Sequence, residues 1–152
     1  MRGVQSLIVF LALTMAASAT GVLFHPGDWY AALQKPSFNP PNWIFPPVWT
    51  LLYVMMAVAA WRVWRRDGMS PPLVLWAIQL LLNAAWTWLF FGKHLPASAF
   101  ADILVLLLAI AITAVAFWRR DRVAGLLLVP YLAWVAFACA LNYALWQLNP
   151  AA

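Results

Sequence analysis

Polar side chains within the long apolar stretches of this chain are the residues whose types could support chemistry. Gln79 and Asn83 lie one helical turn apart, and Asp102 and Asn142 lie in two later stretches. Polar groups at membrane depth are costly, so each needs a structural or functional reason. Amide groups suit hydrogen bonding to the polar edge of a ligand. By contrast, four aspartates and no glutamate leave almost no material for a hydrolase built on paired carboxylates.

Aromatic side chains recur at helical spacing beside these polar residues. Trp86 continues the stripe of Gln79 and Asn83, and Trp49 and Tyr53 form a pair four residues apart. Aromatic walls with a few polar groups are typical of a pocket for a flat, hydrophobic ligand with polar edges. The alternative is that each amide only bridges helices, a contact worth ~0.6–2 kcal/mol. Bridging explains any one of these residues, but their joint convergence favours a pocket.

Five apolar stretches position these residues and fill almost all of the 152-residue chain. About 20 apolar residues span the ~30 Å hydrocarbon core of a bilayer, and a single segment satisfies its own backbone hydrogen bonds there only as a helix. The sequence therefore predicts an all-α membrane protein, a five-transmembrane-helix bundle that forms one domain over residues 1–152. The predicted helices run at about 3–24, 43–64, 72–92, 97–118 and 123–148, with a structured loop at 25–42.

The charges of the chain support the same class. Only 9% of the residues are charged and 66% are hydrophobic, whereas about a quarter of a soluble domain is charged. The net charge of +5 does not indicate nucleic-acid binding, because the arginines flank the stretches on one side and only Lys35 and Lys93 lie on the other. This bias predicts a cytoplasmic N-terminus and a C-terminus on the opposite side. The seven arginines on the predicted cytoplasmic side are Arg2, Arg62, Arg65, Arg66, Arg119, Arg120 and Arg122.

The N-terminal stretch has some features of a signal peptide. Arg2, an apolar run and Ala17-Ser18-Ala19 together mimic a cleavable leader with a small-residue cleavage site. The apolar run continues through Phe24, which is longer than the usual core of a signal peptide. This length favours a first helix that the protein retains.

The connection at 25–42 has predicted structure of its own. His25–Asp28 is a predicted turn, and Asp28 is a candidate N-cap for a short helix over Trp29–Gln34. Prolines then force extended backbone at Pro36 and at Pro40-Pro41. So rigid and aromatic a loop is either a lid over the mouth of the bundle or an interfacial anchor.

Helix directions place most of these polar and aromatic residues at one depth. Helices three and five run away from the predicted cytoplasmic side, so Asn83 and Asn142 lie in their outer halves. Trp49 lies in the outer third of helix two, and Asp102 begins helix four on the same side. We therefore expect a pocket beneath the loop that opens to the non-cytoplasmic face.

Few residues of the chain suit metal or redox chemistry. Cys139 is the only cysteine, which excludes an internal disulfide and a cysteine-based metal cluster. His25 and His94 lie on the pocket side, where a haem-ligand role competes with simple solvation. The sequence contains no Walker loop, nucleophile elbow or zinc motif, and so no signature of a kinase, hydrolase or metal enzyme.

The fifth stretch contains two features that predict packing. Pro130 predicts a kink, because proline lacks the backbone N–H of a helix-forming residue. Ala136, Ala140 and Ala144 form a small-residue ridge that lets another helix approach closely. Such a ridge serves packing inside the bundle or dimerisation, and we favour packing inside the bundle.

Three runs of residues carry a resemblance to a known family. They are Lys35-Pro-Ser-Phe-Asn-Pro-Pro-Asn-Trp-Ile-Phe-Pro-Pro-Val-Trp-Thr-Leu-Leu-Tyr53, Gln79-Leu-Leu-Leu-Asn-Ala-Ala-Trp86 with Phe90-Phe-Gly92, and Val129-Pro-Tyr-Leu-Ala-Trp-Val-Ala-Phe-Ala138 followed by Leu141-Asn-Tyr143. Together they resemble the tryptophan-rich sensory protein / translocator protein family (TspO/MBR, the peripheral-type benzodiazepine receptor) over essentially the whole chain.

The resemblance implies a five-helix bundle that forms a homodimer in the membrane lipid, with a pocket beneath the first loop. It implies binding of porphyrins such as protoporphyrin IX, haem-type tetrapyrroles and benzodiazepine-type ligands, with no required cofactor and no metal. It also implies light- and oxygen-dependent degradation of protoporphyrin as an alternative, with Trp49 and Asn83 as the catalytic residues. The ligand-binding residues that the motifs carry over are Tyr30, Trp49, Gln79, Asn83, Trp134 and Asn142.

The chain departs from the family at the sterol motif. Tyr143 is followed by Ala-Leu-Trp-Gln-Leu, without the Lys or Arg that this motif requires within five residues. The departure weakens a sterol role and points to a bacterial-type protein centred on tetrapyrroles.

Three functions stay open on the sequence alone. A tetrapyrrole receptor or sensor is the leading interpretation. The second is a transporter of porphyrins or small lipids, although only Pro46-Pro47 and Pro130 hint at the broken helices typical of transporters. The third is a light-dependent porphyrin-degrading enzyme, in which an electron-rich indole quenches or traps the excited state.

Overall fold

Five helical spans make up most of the chain that the structure describes. The computed structural model describes residues 3–24 and 26–150. Each span is long and apolar enough to cross a membrane, which confirms the prediction of an all-α membrane protein with five transmembrane helices. The spans are Val4–Leu23, Asn42–Asp67, Pro71–Gly92, Pro96–Arg120 and Arg122–Leu148.

Within the described residues, the five spans consist of seven α-helices and two short irregular turns, and an eighth α-helix, Gly27–Ala32, lies in the loop between the first two spans. A 3₁₀ turn at Asn42–Ile44 begins the second span, and a π-helical turn at Trp88–Gly92 ends the third. The α-helices are α1 Val4–Ser18, α2 Thr20–Leu23, α3 Gly27–Ala32, α4 Phe45–Asp67, α5 Pro71–Thr87, α6 Pro96–Arg120, α7 Arg122–Leu127 and α8 Val129–Leu148.

The helices close into a bundle in which sequence neighbours mostly pack together. Helix α1 packs against α4, α5 against α6, and α6 against α8, while α4 also packs along α7. The buried face of α4 includes three small side chains, Ala57, Ala59 and Ala60, which are fully buried. Small side chains allow neighbouring helices to approach closely, which is how helices associate without a hydrophobic driving force.

The two ends of the bundle differ in charge. We call the end that contains residues 62–70 and 119–122 the arginine end, and the end that contains residues 26–41 and 93–95 the loop end. The indole N–H of Trp61 donates to the carbonyl of Gly3 at the arginine end, at 3.0 Å. Asn149 bonds to Gln34 at the loop end. The first and last described residues therefore lie at opposite ends, while Arg2 lies outside the described residues.

Two ion pairs tie the arginine end together. Arg62 binds both carboxylate oxygens of Asp121, at 2.8 and 3.3 Å, and Arg120 binds Asp67 at 3.2 Å. Asp121 also caps α7 by accepting from the backbone N–H groups of Val123 and Ala124. Burial alone would raise the pKa of Asp121, but Arg62 and these N–H groups outweigh it and hold that pKa below its usual value. The stability from this contact is therefore present above the unfolded-state pKa of about 3.9 and is lost in acid.

The short helix of the loop begins and ends earlier than the sequence predicted. Helix α3 spans Gly27–Ala32, so Asp28 lies in its first turn and the predicted N-cap role of Asp28 is wrong. Gly27 adopts a φ of 62°, a conformation that glycine reaches without strain, and this turn starts the helix one residue before Asp28. Lys35 then donates to the carbonyls of Tyr30 and Leu33 and so satisfies the end of the helix. The backbone is then extended at Leu33 and again at Pro41, where ψ is 144°. Between them a turn runs from Pro36 to Asn39, closed by the Asn39 N–H donating to the Pro36 carbonyl at 3.1 Å, so the predicted extended backbone is interrupted there.

The fifth span is broken near its proline, as predicted, but its alanine ridge is not internal. The break falls at Leu128, between α7 and α8, and Pro130 occupies the first turn of α8. Ala136 and Ala140 are exposed and Ala144 is half-buried, so the ridge faces mostly outward and the favoured interpretation of packing inside the bundle is wrong. The inward face of α8 instead carries large side chains such as Tyr131 and Val135, which fill the interior.

Candidate functional site

The second and fifth spans are held apart toward the loop end. Helix α4 packs closely along α7, whereas beyond Leu128 the contact between α4 and α8 is made largely by aromatic rings. The ring centroids of Trp49 and Tyr131 lie 6.3 Å apart, and those of Phe45 and Trp134 lie 5.8 Å apart. Aromatic side chains therefore fill the region between α4 and α8, where the two helix backbones do not pack closely together.

A chain of hydrogen bonds crosses the bundle beside this region. The Tyr53 hydroxyl donates to Asn83 Oδ1 at 2.7 Å, and Asn83 Nδ2 donates to the Tyr131 hydroxyl at 2.8 Å. The Tyr131 hydroxyl in turn donates to Gln79 Oε1 at 2.7 Å. All four side chains are buried, so the second, third and fifth spans share one polar network. We call Tyr53, Asn83, Tyr131 and Gln79 the tyrosine–amide network.

The network leaves limited capacity for a ligand. A side-chain amide has two N–H donors and two acceptor lone pairs. Asn83 uses one donor and one lone pair within the network, and so retains one of each. Gln79 also accepts one bond, and its amide nitrogen lies 3.9 Å from the sulfur of Met56. The helix-bridging role that the sequence left open is therefore realised, and the role of Gln79 and Asn83 toward a ligand stays a prediction.

Asn142 belongs to a second, separate bridge. Its Oδ1 accepts from the indole N–H of Trp86 at 2.8 Å, and its Nδ2 donates to the carbonyl of Pro96 at 2.9 Å. The ring of Trp86 stacks on Phe90, with centroids 5.2 Å apart. This bridge joins the third span to the fifth and holds the first residue of α6. Asn142 and Asn83 are thus not joined by a direct hydrogen bond, although the sequence placed them at one depth.

Three phenylalanines complete an aromatic cluster that the sequence did not predict. The ring of Phe45 contacts that of Trp134. The ring centroids of Trp134 and Phe137 lie 5.5 Å apart, and those of Phe137 and Phe38, a loop residue, lie 6.1 Å apart. Trp49 and Trp134 are half-buried, so these rings are not sealed in the core. The available signal was that Phe45 precedes Trp49 by one helical turn and therefore lies on the same face of α4. We call Phe38, Phe45, Trp134 and Phe137, together with Trp49 one helical turn after Phe45, the aromatic cluster.

The loop is fastened over this cluster. The backbone N–H of Gln34 donates to Asn149 Oδ1 at 2.9 Å, and Asn149 Nδ2 donates back to the carbonyl of Gln34 at 2.8 Å. Tyr30 is buried and its hydroxyl donates to Asn39 Oδ1 at 3.4 Å. Burial raises the pKa of Tyr30, and the Asn39 hydrogen bond offsets part of that rise. Tyr30 therefore anchors the loop from within. Its ring meets that of Phe91, which is outside the aromatic cluster, with ring centroids 5.6 Å apart.

His94 and Asp102 are the remaining candidate residues that the structure describes. His94 is exposed and stacks on Trp29, with ring centroids 4.3 Å apart and planes at 5°. Asp102 is half-buried, and its Oδ2 is shielded without a hydrogen-bond partner. His25, the other candidate haem ligand, lies outside the described residues. Over residues 3–24 and 26–150, no three His, Cys, Asp or Glu side chains are grouped as metal ligands.

Two surface depressions lie away from the aromatic cluster, at the arginine end. One, of about 250 Å³, is lined by Arg62, Arg65, Arg66 and Asp121. The other, of about 600 Å³, is lined mainly by apolar groups, with Met69, Pro71 and Val74 among them. Beneath the loop, by contrast, aromatic side chains occupy the space between α4 and α8. A ligand bound there would have to displace some of these rings.

Replacing Asn149 with alanine is expected to loosen the loop. The substitution removes both hydrogen bonds to the backbone of Gln34, which are the reciprocal contacts between the loop and the end of α8. We expect amide hydrogen exchange over residues 33–39 to rise about tenfold, since about 1.4 kcal/mol of local stability corresponds to that factor. Gln147→Ala, an exposed change on the same helix, is the control and should leave exchange in the loop unchanged.

Comparisons with known proteins are consistent with this architecture. Residues 7–147 match the model of the TspO/MBR family. The chain is 44% identical to the tryptophan-rich protein TspO of Chlorobaculum tepidum, over 98% of this chain and 99% of the relative. It is 42% identical to protein CrtK of Rhodobacter capsulatus, over 93% and 91% of the two chains. It is also 43% identical to the translocator protein of Sus scrofa, over 87% and 81%.

Proposed function

The chain belongs to the TspO/MBR family of membrane proteins, and we propose that it is a receptor or sensor for a tetrapyrrole. The ligand is a porphyrin such as protoporphyrin IX or a haem-type macrocycle, bound between α4 and α8 beneath the loop. The observation that carries the proposal is the aromatic cluster, which is half-buried except at Phe38 and lies next to a polar network and under a fastened loop.

The chemistry of this region suits a large, flat ligand. Rings that meet edge to face or at a tilt can rearrange to stack on a macrocycle, because each such contact is worth only about 0.5–1.5 kcal/mol. Asn83 retains one donor and one acceptor for a polar edge of the ligand. Smaller aromatic ligands of the benzodiazepine type would use the same walls. The tetrapyrrole is the ligand of the site, so no resident cofactor is required.

Protoporphyrin IX is expected to quench the tryptophan fluorescence of the purified protein at micromolar concentration in the dark. Trp49→Phe should lower affinity about two- to fivefold, since phenylalanine keeps much of the contact area but loses the larger indole ring. Trp118→Phe is the control, because Trp118 is exposed at the arginine end, far from the aromatic cluster. Quenching that is equally weakened in both variants would contradict the assignment of the site to α4 and α8.

Light-dependent degradation of the porphyrin is the second candidate function. The observation that favours it is the grouping of three electron-rich rings. The ring centroid of Trp49 lies 5.6 Å from that of Tyr53 and 6.3 Å from that of Tyr131. Illumination of the complex in the presence of oxygen should then give a new product spectrum, and Trp49→Phe should slow its appearance far more than it weakens binding. A bound spectrum that persists under light supports the receptor alone.

We also propose that the arginine end faces the cytoplasm. Six arginines lie at that end among the described residues, whereas Lys35 and Lys93 lie at the loop end, and positively charged loops are retained on the cytoplasmic side. In a bacterial host, alkaline phosphatase fused after Leu148 should be active and the enzyme fused after Arg66 should be inactive. The opposite pattern would invert the orientation.

We also propose that the protein forms a homodimer. The exposed ridge of Ala136 and Ala140 on α8 supports it, because small residues on an outer face permit close contact with a second bundle.

A further inference from the structure

The depression at the arginine end is a basic site that the proposed tetrapyrrole function does not use. It has a volume of about 250 Å³ and is lined by Arg62, Arg65, Arg66 and Asp121. It lies where the last turns of α4 meet the residue that caps α7. Three arginines and one aspartate give the lining a net charge of +2.

The aspartate in the lining is already engaged. Asp121 accepts two bonds from Arg62 and two from the backbone N–H groups of Val123 and Ala124. Oδ1 accepts three of these bonds and Oδ2 accepts one, so both oxygens of the carboxylate are engaged. Asp121 therefore neutralises Arg62, while Arg65 is exposed. An anion in the depression would meet cationic donors and little repulsion.

The arrangement of Arg65 favours a phosphate group. The Arg65 guanidinium lies over the Trp61 ring, 4.7 Å from its centroid, which orients the guanidinium without using its hydrogen-bond donors. A guanidinium binds phosphate oxygens in a bidentate manner. The Trp61 ring is half-buried at the end of an apolar span, the position of aromatic residues at a membrane interface. The depression is therefore at the level of lipid headgroups.

We propose that this depression binds the phosphate diester of an anionic phospholipid. Its position at the end of a membrane span brings lipid headgroups to it at high local concentration, and basic pockets between transmembrane helices recognise such headgroups. The bound lipid bridges the second span to the start of the fifth, the same two elements that the Arg62–Asp121 pair joins. The site is independent of the aromatic cluster at the loop end.

The test compares two double variants that remove the same charge. Arg65→Gln/Arg66→Gln removes two arginines from the lining, and Arg119→Gln/Arg122→Gln removes two exposed arginines at the same end but outside the lining. Binding of short-chain phosphatidylglycerol and phosphatidylcholine to the detergent-solubilised protein is measured by native mass spectrometry, with thermal protection as the second readout.

We expect one phosphatidylglycerol to be retained in preference to phosphatidylcholine. The lining variant should lose at least tenfold in affinity, and the control variant less than threefold. Equal losses in both variants would mean diffuse attraction and would overturn the site. Equal retention of both lipids would also overturn it, as would protection by inorganic phosphate that matches the lipid. Unchanged porphyrin quenching in the lining variant shows that it is folded and that the two sites are separate.

Discussion

Asn83→Leu is expected to lower the free energy of unfolding by about 1–3 kcal/mol, whether or not Asn83 contacts a ligand. Asn83 accepts from Tyr53 and donates to Tyr131, so leucine removes two hydrogen bonds between different spans. Bonds between membrane helices average about 0.6 kcal/mol each, but leaving a buried group without a partner raises the total cost to about 1–3 kcal/mol. In Asn83→Leu the Tyr53 hydroxyl loses its acceptor, whereas the Tyr131 hydroxyl still donates to Gln79. Equilibrium unfolding in mixed detergent micelles measures the loss.

The double variant Tyr53→Phe/Asn83→Leu is the control for this explanation. It removes the stranded hydroxyl together with its acceptor, and replacing both partners by apolar groups is nearly neutral. We expect the double variant to regain about 1 kcal/mol relative to Asn83→Leu. Simple addition of the losses of the two single variants would show that the Tyr53–Asn83 bond does not stabilise the bundle.

Gly125→Ala is expected to cost about 3 kcal/mol or more, the largest loss among the substitutions considered. A Cβ at Gly125 would lie 2.7 Å from both Cα and Cβ of Trp118 and 2.8 Å from its backbone nitrogen. The neighbouring atoms belong to the backbone of α6, so a change of rotamer cannot relieve the clash and α6 and α7 must move apart. Overpacking of this kind usually costs about 1–3 kcal/mol, and a backbone neighbour places it at the upper end.

Gly21→Ala is the matched control for Gly125→Ala. Gly21 also lies in a short helix of a membrane span, but no atom lies within 4 Å of the Cβ that alanine would add. Alanine favours helix by up to about 1 kcal/mol over glycine, so this variant should be neutral or slightly stabilised. Thermal unfolding that affects both variants alike would show that the close approach of α6 and α7 is not what requires Gly125.

Local properties of the sequence determined the five spans and the break in the fifth. Hydropathy over about 20 residues decides whether a helix can cross a membrane, and this requires no knowledge of its neighbours. Proline at position 130 interrupts a helix through its own missing N–H, and the structure places the interruption at Leu128. For the same reason, the one-turn spacing of Gln79 and Asn83 sufficed to place them on one face, where they share Tyr131.

The partners of the polar residues required the tertiary structure. Tyr53 is 30 residues from Asn83, and Asn149 is 115 residues from Gln34. Such pairings depend on the order of the helices in the bundle and on the rotation of each helix about its axis. The sequence placed Asn142 and Asn83 at the same depth in the membrane. The rotation of α8 about its axis instead directs the Asn142 side chain to Trp86 and Pro96.

The alanine ridge shows why inside and outside could not be separated by pattern. In water, an apolar stripe on a helix points to the core, because the opposite face must be polar. In a bilayer, lipid tails are as apolar as leucine, so both faces of a span are hydrophobic and the hydrophobic pattern loses its direction. Ala136 and Ala140 therefore looked suited to the interior. Only the packing of Tyr131 and Val135 into the bundle turned the alanines outward.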